Sequence, residues 1–84
     1  MATTRLVGYH DFTACTARLS SGKYQGFVLV RHHTMAGIVQ WAFRAGRATA
    51  AEEDAFACAE RKAATLIRIA REGSAHDPCF RKVA

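Results

Sequence analysis

The stretch of residues 50–72 most constrains what this chain can fold into, because it is rich in alanine and contains neither proline nor glycine. Thr49 and Glu52 have the spacing of a capping box at its start, and Gly73 is typical of the position that follows a helix. Apolar residues recur at steps of three and four and form one stripe of Ala55, Phe56, Ala59, Ala63, Leu66, Ile67 and Ala70. The pattern predicts one helix of about 35 Å, whose small stripe residues would let it lie close against a sheet.

Three segments that precede this helix are rich in residues that favour β-strands. Residues 24–32 give the strongest signal for a strand, and residues 38–44 form a second candidate. Residues 12–19 form a third, which would pair with residues 24–32 as a hairpin. Residues 4–9 would either extend the first strand or form a separate short strand. Turn-forming residues separate these segments, and such short connections join antiparallel strands.

The sequence therefore predicts an α+β fold, in which an antiparallel sheet of three or four strands carries one long C-terminal helix on one face. We assign residues 1–73 to a single domain, because 84 residues suffice for one domain only. Residues 74–84 are assigned to a C-terminal tail, in which Pro78 disfavours regular structure. Trp41 and Phe43 share one face of their strand and are expected in the core beneath the helix.

No apolar stretch approaches the ~20 residues that a membrane-spanning helix needs, and the N-terminus lacks the apolar core of a signal peptide. Cys15, Cys58 and Cys79 are an odd number without paired spacing, so we expect reduced thiols rather than a disulfide framework. These features favour a cytoplasmic protein without membrane association. Nine arginines against three lysines, with no asparagine, fit a GC-rich bacterial genome.

The nitrogen and sulfur ligands in the sequence form no recognisable metal site, since a structural zinc site needs four of them, usually in close pairs. His32 and His33 are adjacent in a strand and therefore point to opposite faces, and His76 with Cys79 has no second pair nearby. Cys15 could meet His32 on a neighbouring strand. No P-loop, Gly-x-Ser-x-Gly or dinucleotide-binding glycine pattern occurs. We therefore expect no metal, no cofactor and no enzymatic activity.

The excess positive charge is confined to the first part of the chain. Residues 1–51 carry six lysines and arginines against Asp11 alone, whereas the basic and acidic residues of 52–84 balance. The sheet face turned away from the helix is predicted to combine apolar and polar residues, namely Arg18, Phe27, Leu29, Arg31, Ile38, Gln40 and Arg44. Apolar residues favour a protein partner, whereas arginines beside an aromatic ring favour nucleic acid.

We expect this mixed face to act in protein–protein association, with nucleic-acid binding as the alternative. The strand of residues 24–32 favours association because it is apolar on both faces, as strands buried on both sides are. Something should therefore cover Phe27 and Leu29. A second copy of the chain, related by a twofold axis, is the leading candidate. The alternatives are that residues 1–9 or the tail fold over this face within one chain.

Overall fold

A computed structural model describes residues 1–73 and contains four strands followed by one helix. The elements are β1 Ala2–Val7, β2 His10–Arg18, β3 Tyr24–Thr34, β4 Gly37–Thr49 and α1 Glu52–Gly73. The strands form one sheet in the order β1-β2-β3-β4, and each strand pairs antiparallel with its neighbour. The predicted α+β fold with one C-terminal helix is confirmed. The predicted tail, residues 74–84, lies outside the described residues.

The N-terminal residues form a strand of their own at the edge of the sheet. Gly8, with a φ of 62°, lies in the tight turn between β1 and β2, where a positive φ favours glycine. From this turn β1 pairs with β2 as far as Ala2, which lies opposite Cys15. Residues 1–9 therefore widen the sheet sideways and do not fold over its free face, so they are not the cover considered for that face.

The core lies between the sheet and α1. Strand pairing aligns Phe12 with Val30 and Trp41 in one row that faces the helix. Phe12, Val28 and Val30 are almost completely buried. Trp41 and Phe43 pack against this core but are only partly buried, since β4 is an edge strand. They therefore lie at the margin of the core rather than at its centre.

The small residues of α1 lie against the sheet, as predicted. Ala55, Ala59, Ala63, Leu66, Ile67 and Ala70 are buried, and Phe56 is partly buried. The helix backbone lies close against the sheet at Gly26 of β3, where a Cβ atom would collide with the carbonyl oxygen of Ala55. Glycine is required at this position because the helix backbone occupies the space that a side chain would need.

The helix begins at Glu52 without the predicted capping box. Thr49 still belongs to β4, and its hydroxyl donates to the carbonyl oxygen of Ala51 at 2.7 Å instead of accepting from a helix amide. The Glu52 carboxylate accepts a hydrogen bond from the hydroxyl of Thr16 in β2 at 2.8 Å. The capping-box prediction is wrong because β4 continues up to the residue that would have capped the helix.

A bulge carries β4 past the end of the predicted strand. Three residues of β4, 46–48, lie opposite the single residue Gln25 of β3. The buried side-chain amide of Gln25 donates to the carbonyl oxygens of Gly26, Ala45 and Gly46 at 3.0, 3.2 and 3.0 Å. Gln25 therefore compensates for the ladder hydrogen bonds that the bulge interrupts.

Candidate interaction surface

The sheet face turned away from α1, called the open face below, has none of the other elements within residues 1–73 packed over it. It is formed by alternate residues of all four strands, which align in rows across the sheet. These rows are Ala2–Cys15–Phe27–Arg44, Thr4–Thr13–Leu29–Ala42 and Leu6–Asp11–Arg31–Gln40, followed by His33 beside Ile38.

Six of the seven predicted interaction residues lie on the open face, namely Phe27, Leu29, Arg31, Ile38, Gln40 and Arg44. Arg18 lies elsewhere. Strand alternation puts it on the same side as Phe12 and Ala14, which face the helix, and it pairs with Tyr24 near the end of the sheet. The predicted placement of Arg18 is therefore corrected, and the basic character of the open face falls accordingly.

The open face exposes apolar side chains at both edges of the sheet. Leu6 in β1 is 75 % exposed, and Ile38 in β4 is 57 % exposed. Phe27 and Leu29, in the central strand β3, are half-buried by their neighbours within the sheet. Several large apolar side chains on one sheet face that no other described element covers are a candidate site of contact with another molecule.

A charged cluster interrupts the apolar surface. The Arg31 Nε donates to one carboxylate oxygen of Asp11 at 3.0 Å, and the His33 Nε2 lies 2.9 Å from the other oxygen. These two side chains cover Asp11, so that its side chain is only 4 % exposed although it belongs to the open face. Burial acts to raise the pKa of Asp11, but the hydrogen bonds from Arg31 and His33 outweigh burial and hold the pKa below its ordinary value. Arg31 is therefore a paired cation rather than a free one.

The sequence patterns did not identify Asp11 as part of this surface. One signal was present, because Asp11 is the only acidic residue among residues 1–51. Its alignment with Arg31 and His33 depends on the register between β2 and β3, and a single sequence does not specify that register.

On the helix-facing side of the sheet, His32 pairs with His10, and their ring centroids lie 4.3 Å apart. Both residues line a cleft of about 250 Å³ at the turn between β1 and β2. Burial, followed by the charges of His32 and His33, lowers the pKa of His10. Adjacent His32 and His33 point to opposite faces, as expected. Cys15 belongs to the open face, so the considered contact between Cys15 and His32 does not form.

Within residues 1–73, no group of three or more His, Cys, Asp or Glu residues is placed to hold a metal ion. Cys15 and Cys58 are partly buried free thiols. The spaced pair His76 and Cys79 lies outside the part of the chain that the structure describes. No helix within residues 1–73 is long and apolar enough to cross a membrane.

The chain matches no known family model, and comparisons with curated proteins and with solved structures give no significant match. The open face therefore has to be interpreted from its own residues.

Proposed function

We propose that this protein is a small non-enzymatic binding module that associates with a second copy of itself through the open face. One observation carries the proposal: apolar side chains from β1, β3 and β4 share a sheet face over which no other element of residues 1–73 packs. Covering such side chains removes apolar surface from water, which is the main driving force for association. The free thiols of Cys15 and Cys58 support a cytoplasmic location for this module.

The charge pattern of the open face suits a second copy of the same chain. Asp11 and Arg31 neutralise each other within one chain, so the charged cluster needs no counter-charge from a partner. Arg44 belongs to the edge strand β4, so its long side chain can extend into solvent past the edge of a twofold contact. Two copies can therefore bring their apolar rows together without facing like charges at the centre.

The size of the open face indicates a weak, reversible dimer. Four strands spaced by about 4.8 Å, measured over the roughly seven residues from the row of Phe27 to the row of His33 at about 3.4 Å per residue, span roughly 19 by 24 Å. Such a face has a flat footprint of about 450 Å², which is small beside stable complexes, in which each partner buries about 800 Å² of accessible surface. We therefore expect a dissociation constant in the micromolar range.

Binding of nucleic acid to the open face is the competing proposal, and the geometry supports it less well. A platform for single strands needs exposed aromatic rings beside free cations. Arg31 is paired with Asp11, and Arg18 lies on the other side of the sheet. Arg44 remains as an open-face arginine without an ion pair to residues 1–73, and the ring of Phe27 is half-buried.

Two neighbouring residues of β4 provide a matched pair of variants. Ile38 lies on the open face and is 57 % exposed, whereas Val39 lies on the other side and is 42 % exposed. Ile38→Asp should abolish the weak dimer, because it replaces an exposed apolar side chain of the proposed contact with a charge that is better hydrated in the single chain. Val39→Asp should leave the dimer intact. Since both side chains are exposed, neither change should unfold the domain.

Sedimentation velocity of both variants at matched concentrations, compared with the wild type, decides between the proposals. Equal effects of the two substitutions would contradict association through the open face. Binding of a short oligonucleotide that is lost in Arg44→Gln, with no dimer in the wild type, would favour the nucleic-acid proposal instead.

A further inference from the structure

A second surface feature lies where the middle of α1 passes the bulged end of β4. A shallow cleft of about 260 Å³, called the β4–α1 cleft below, is lined there by Arg44, Gly46, Cys58, Arg61, Lys62 and Thr65 among others. Each helical member lies three or four residues from at least one other member, so they share one face of α1. The cleft is thus built by two elements whose relative position is fixed by the core.

The β4–α1 cleft collects positive charge without any carboxylate among its lining residues. Arg44, Arg61 and Lys62 take no part in the ion pairs found within residues 1–73. By contrast, Arg5 and Arg31 each have a carboxylate partner on the sheet or helix. Like charges around one cleft repel each other, and a bound anion removes this repulsion.

Contacts between the two elements shape the cleft wall. Gly46 has a φ of 70°, and a Cβ atom there would lie 3.0 Å from the Sγ of Cys58, so only glycine fits without displacement. The Nη2 of Arg61 donates to the Sγ of Cys58 at 3.3 Å, which holds the guanidinium at the edge of the cleft. Cys58 therefore serves as part of the wall and as a support for Arg61.

We propose that the β4–α1 cleft binds the phosphate group of a small ligand. Arginine and lysine are the side chains that bind phosphate best, arginine with its planar pair of donors and lysine as a point charge. The cleft is smaller than the pockets of roughly 300–1,000 Å³ that enclose whole ligands. It therefore suits the phosphate group, with the rest of the ligand extending into solvent. Arg61 and Lys62 both belong to the helix wall of the cleft, and two cations match a phosphate monoester, with a charge near −2, better than a singly charged diester.

The test uses the full chain at about 0.15 M ionic strength, where charges more than about 8 Å apart are largely screened, with three probes: inorganic phosphate, adenosine monophosphate and a short single-stranded oligonucleotide. We expect phosphate and the monoester to produce saturable shifts of the amide resonances of Gly46 and Thr65 in heteronuclear NMR spectra. Lys62→Gln and Arg61→Gln should each weaken binding of the monoester by about tenfold. Arg18→Gln, the matched control, removes one charge from a residue that does not line the cleft and should change the affinity by less than about twofold.

Three outcomes would overturn the proposal. The first is the absence of saturable shifts. The second is equal weakening by Arg18→Gln and Lys62→Gln, which would indicate general attraction to a protein of net charge +5. The third is a preference for the oligonucleotide that is lost in Lys62→Gln, which would assign the cleft to nucleic acid.

The cleft and the open face share Arg44, so they are tested separately with variants at other residues. Ile38→Asp, which disrupts the open face, should bind adenosine monophosphate as the wild type does. Arg61 is exposed and Lys62 is partly exposed, so their substitution opens no core, and circular dichroism checks that each variant is folded. If the wild type proves to be a monomer, the proposal of phosphate binding is unaffected. If no phosphate binds, the proposal of a dimer is unaffected.

Discussion

At the scale of single residues, Gln25 is a buried polar side chain on which the shape of β4 depends. Its amide donates to three carbonyl oxygens at the bulge. Gln25→Met keeps the length but removes the donors, and should lower the free energy of unfolding by about 1–3 kcal/mol because buried carbonyls lose their partners. Gln25→Glu places a carboxylate against those carbonyls and should cost more, on the order of 3–5 kcal/mol. Urea unfolding measures both, and equal stability of the two variants would contradict this role.

Asp11 makes the stability of the domain depend on acid pH. Its pKa is lowered in the folded state because hydrogen bonds from Arg31 and His33 outweigh the opposing effect of burial. Because its pKa is lowered on folding, the Asp11 carboxylate stabilises the folded state at pH values above its ordinary pKa of 3.8. This stabilisation is lost as the pH falls through the pKa of the folded state. Asp11→Asn should lower the free energy of unfolding at pH 7 by about 1–3 kcal/mol. The difference from the wild type should shrink below about pH 4.

His10 provides an internal control for that experiment, because it acts in a different pH range. Burial, and then the charges of His32 and His33, lowers its pKa from the ordinary value of 6.5. Neutral His10 therefore contributes fully to the stability of the folded state above pH 6.5. This contribution is lost as the pH falls through the lowered pKa of His10. The Asp11→Asn variant should still lose stability when His10 becomes protonated, as the wild type does. A difference from the wild type that stays constant down to pH 3 would show that the Asp11 carboxylate does not stabilise the fold.

At the scale of secondary-structure elements, the position of a strand in the sheet decides how much its aromatic residue contributes. Phe12 in the inner strand β2 is 1 % exposed, whereas Trp41 in the edge strand β4 is only partly buried. Phe12→Ala should cost about 3–5 kcal/mol and leave the domain unfolded or nearly so. Trp41→Ala should cost clearly less, despite its larger ring. Chemical denaturation gives the comparison, and a larger loss for Trp41→Ala would place the centre of the core under β4.

Alternation within a single strand could be read from the sequence, whereas the alignment between strands could not. Because successive side chains of a strand point to opposite faces, the sequence alone assigns the residues of β3 and of the first part of β4 to two faces. This assignment does not depend on the neighbouring strands. Arg18 was placed on the wrong face because its side depends on how β2 pairs with β3. The end of β4 was missed because the bulge is stabilised by Gln25, a contact between strands. The helix stripe was predicted because it depends on local periodicity alone.

At the scale of the whole molecule, one helix covers one face of a four-stranded sheet and leaves the other face with exposed Leu6 and Ile38. A chain of this size buries little more than about 60 % of its unfolded surface, so its core alone provides a small margin of stability. Association through the open face would add stability that rises with protein concentration. The unfolding midpoint should therefore increase with concentration in the wild type and stay constant in Ile38→Asp.

Sedimentation equilibrium of the wild-type protein from low to high micromolar concentration tests association through the open face most directly. We predict that the weight-average mass rises with concentration from the 9.2 kDa of one chain towards twice that value. Ile38→Asp should remain at the lower mass over the same range, and Val39→Asp should follow the wild type. A wild-type mass that stays at 9.2 kDa up to high micromolar concentration would contradict the proposed dimer.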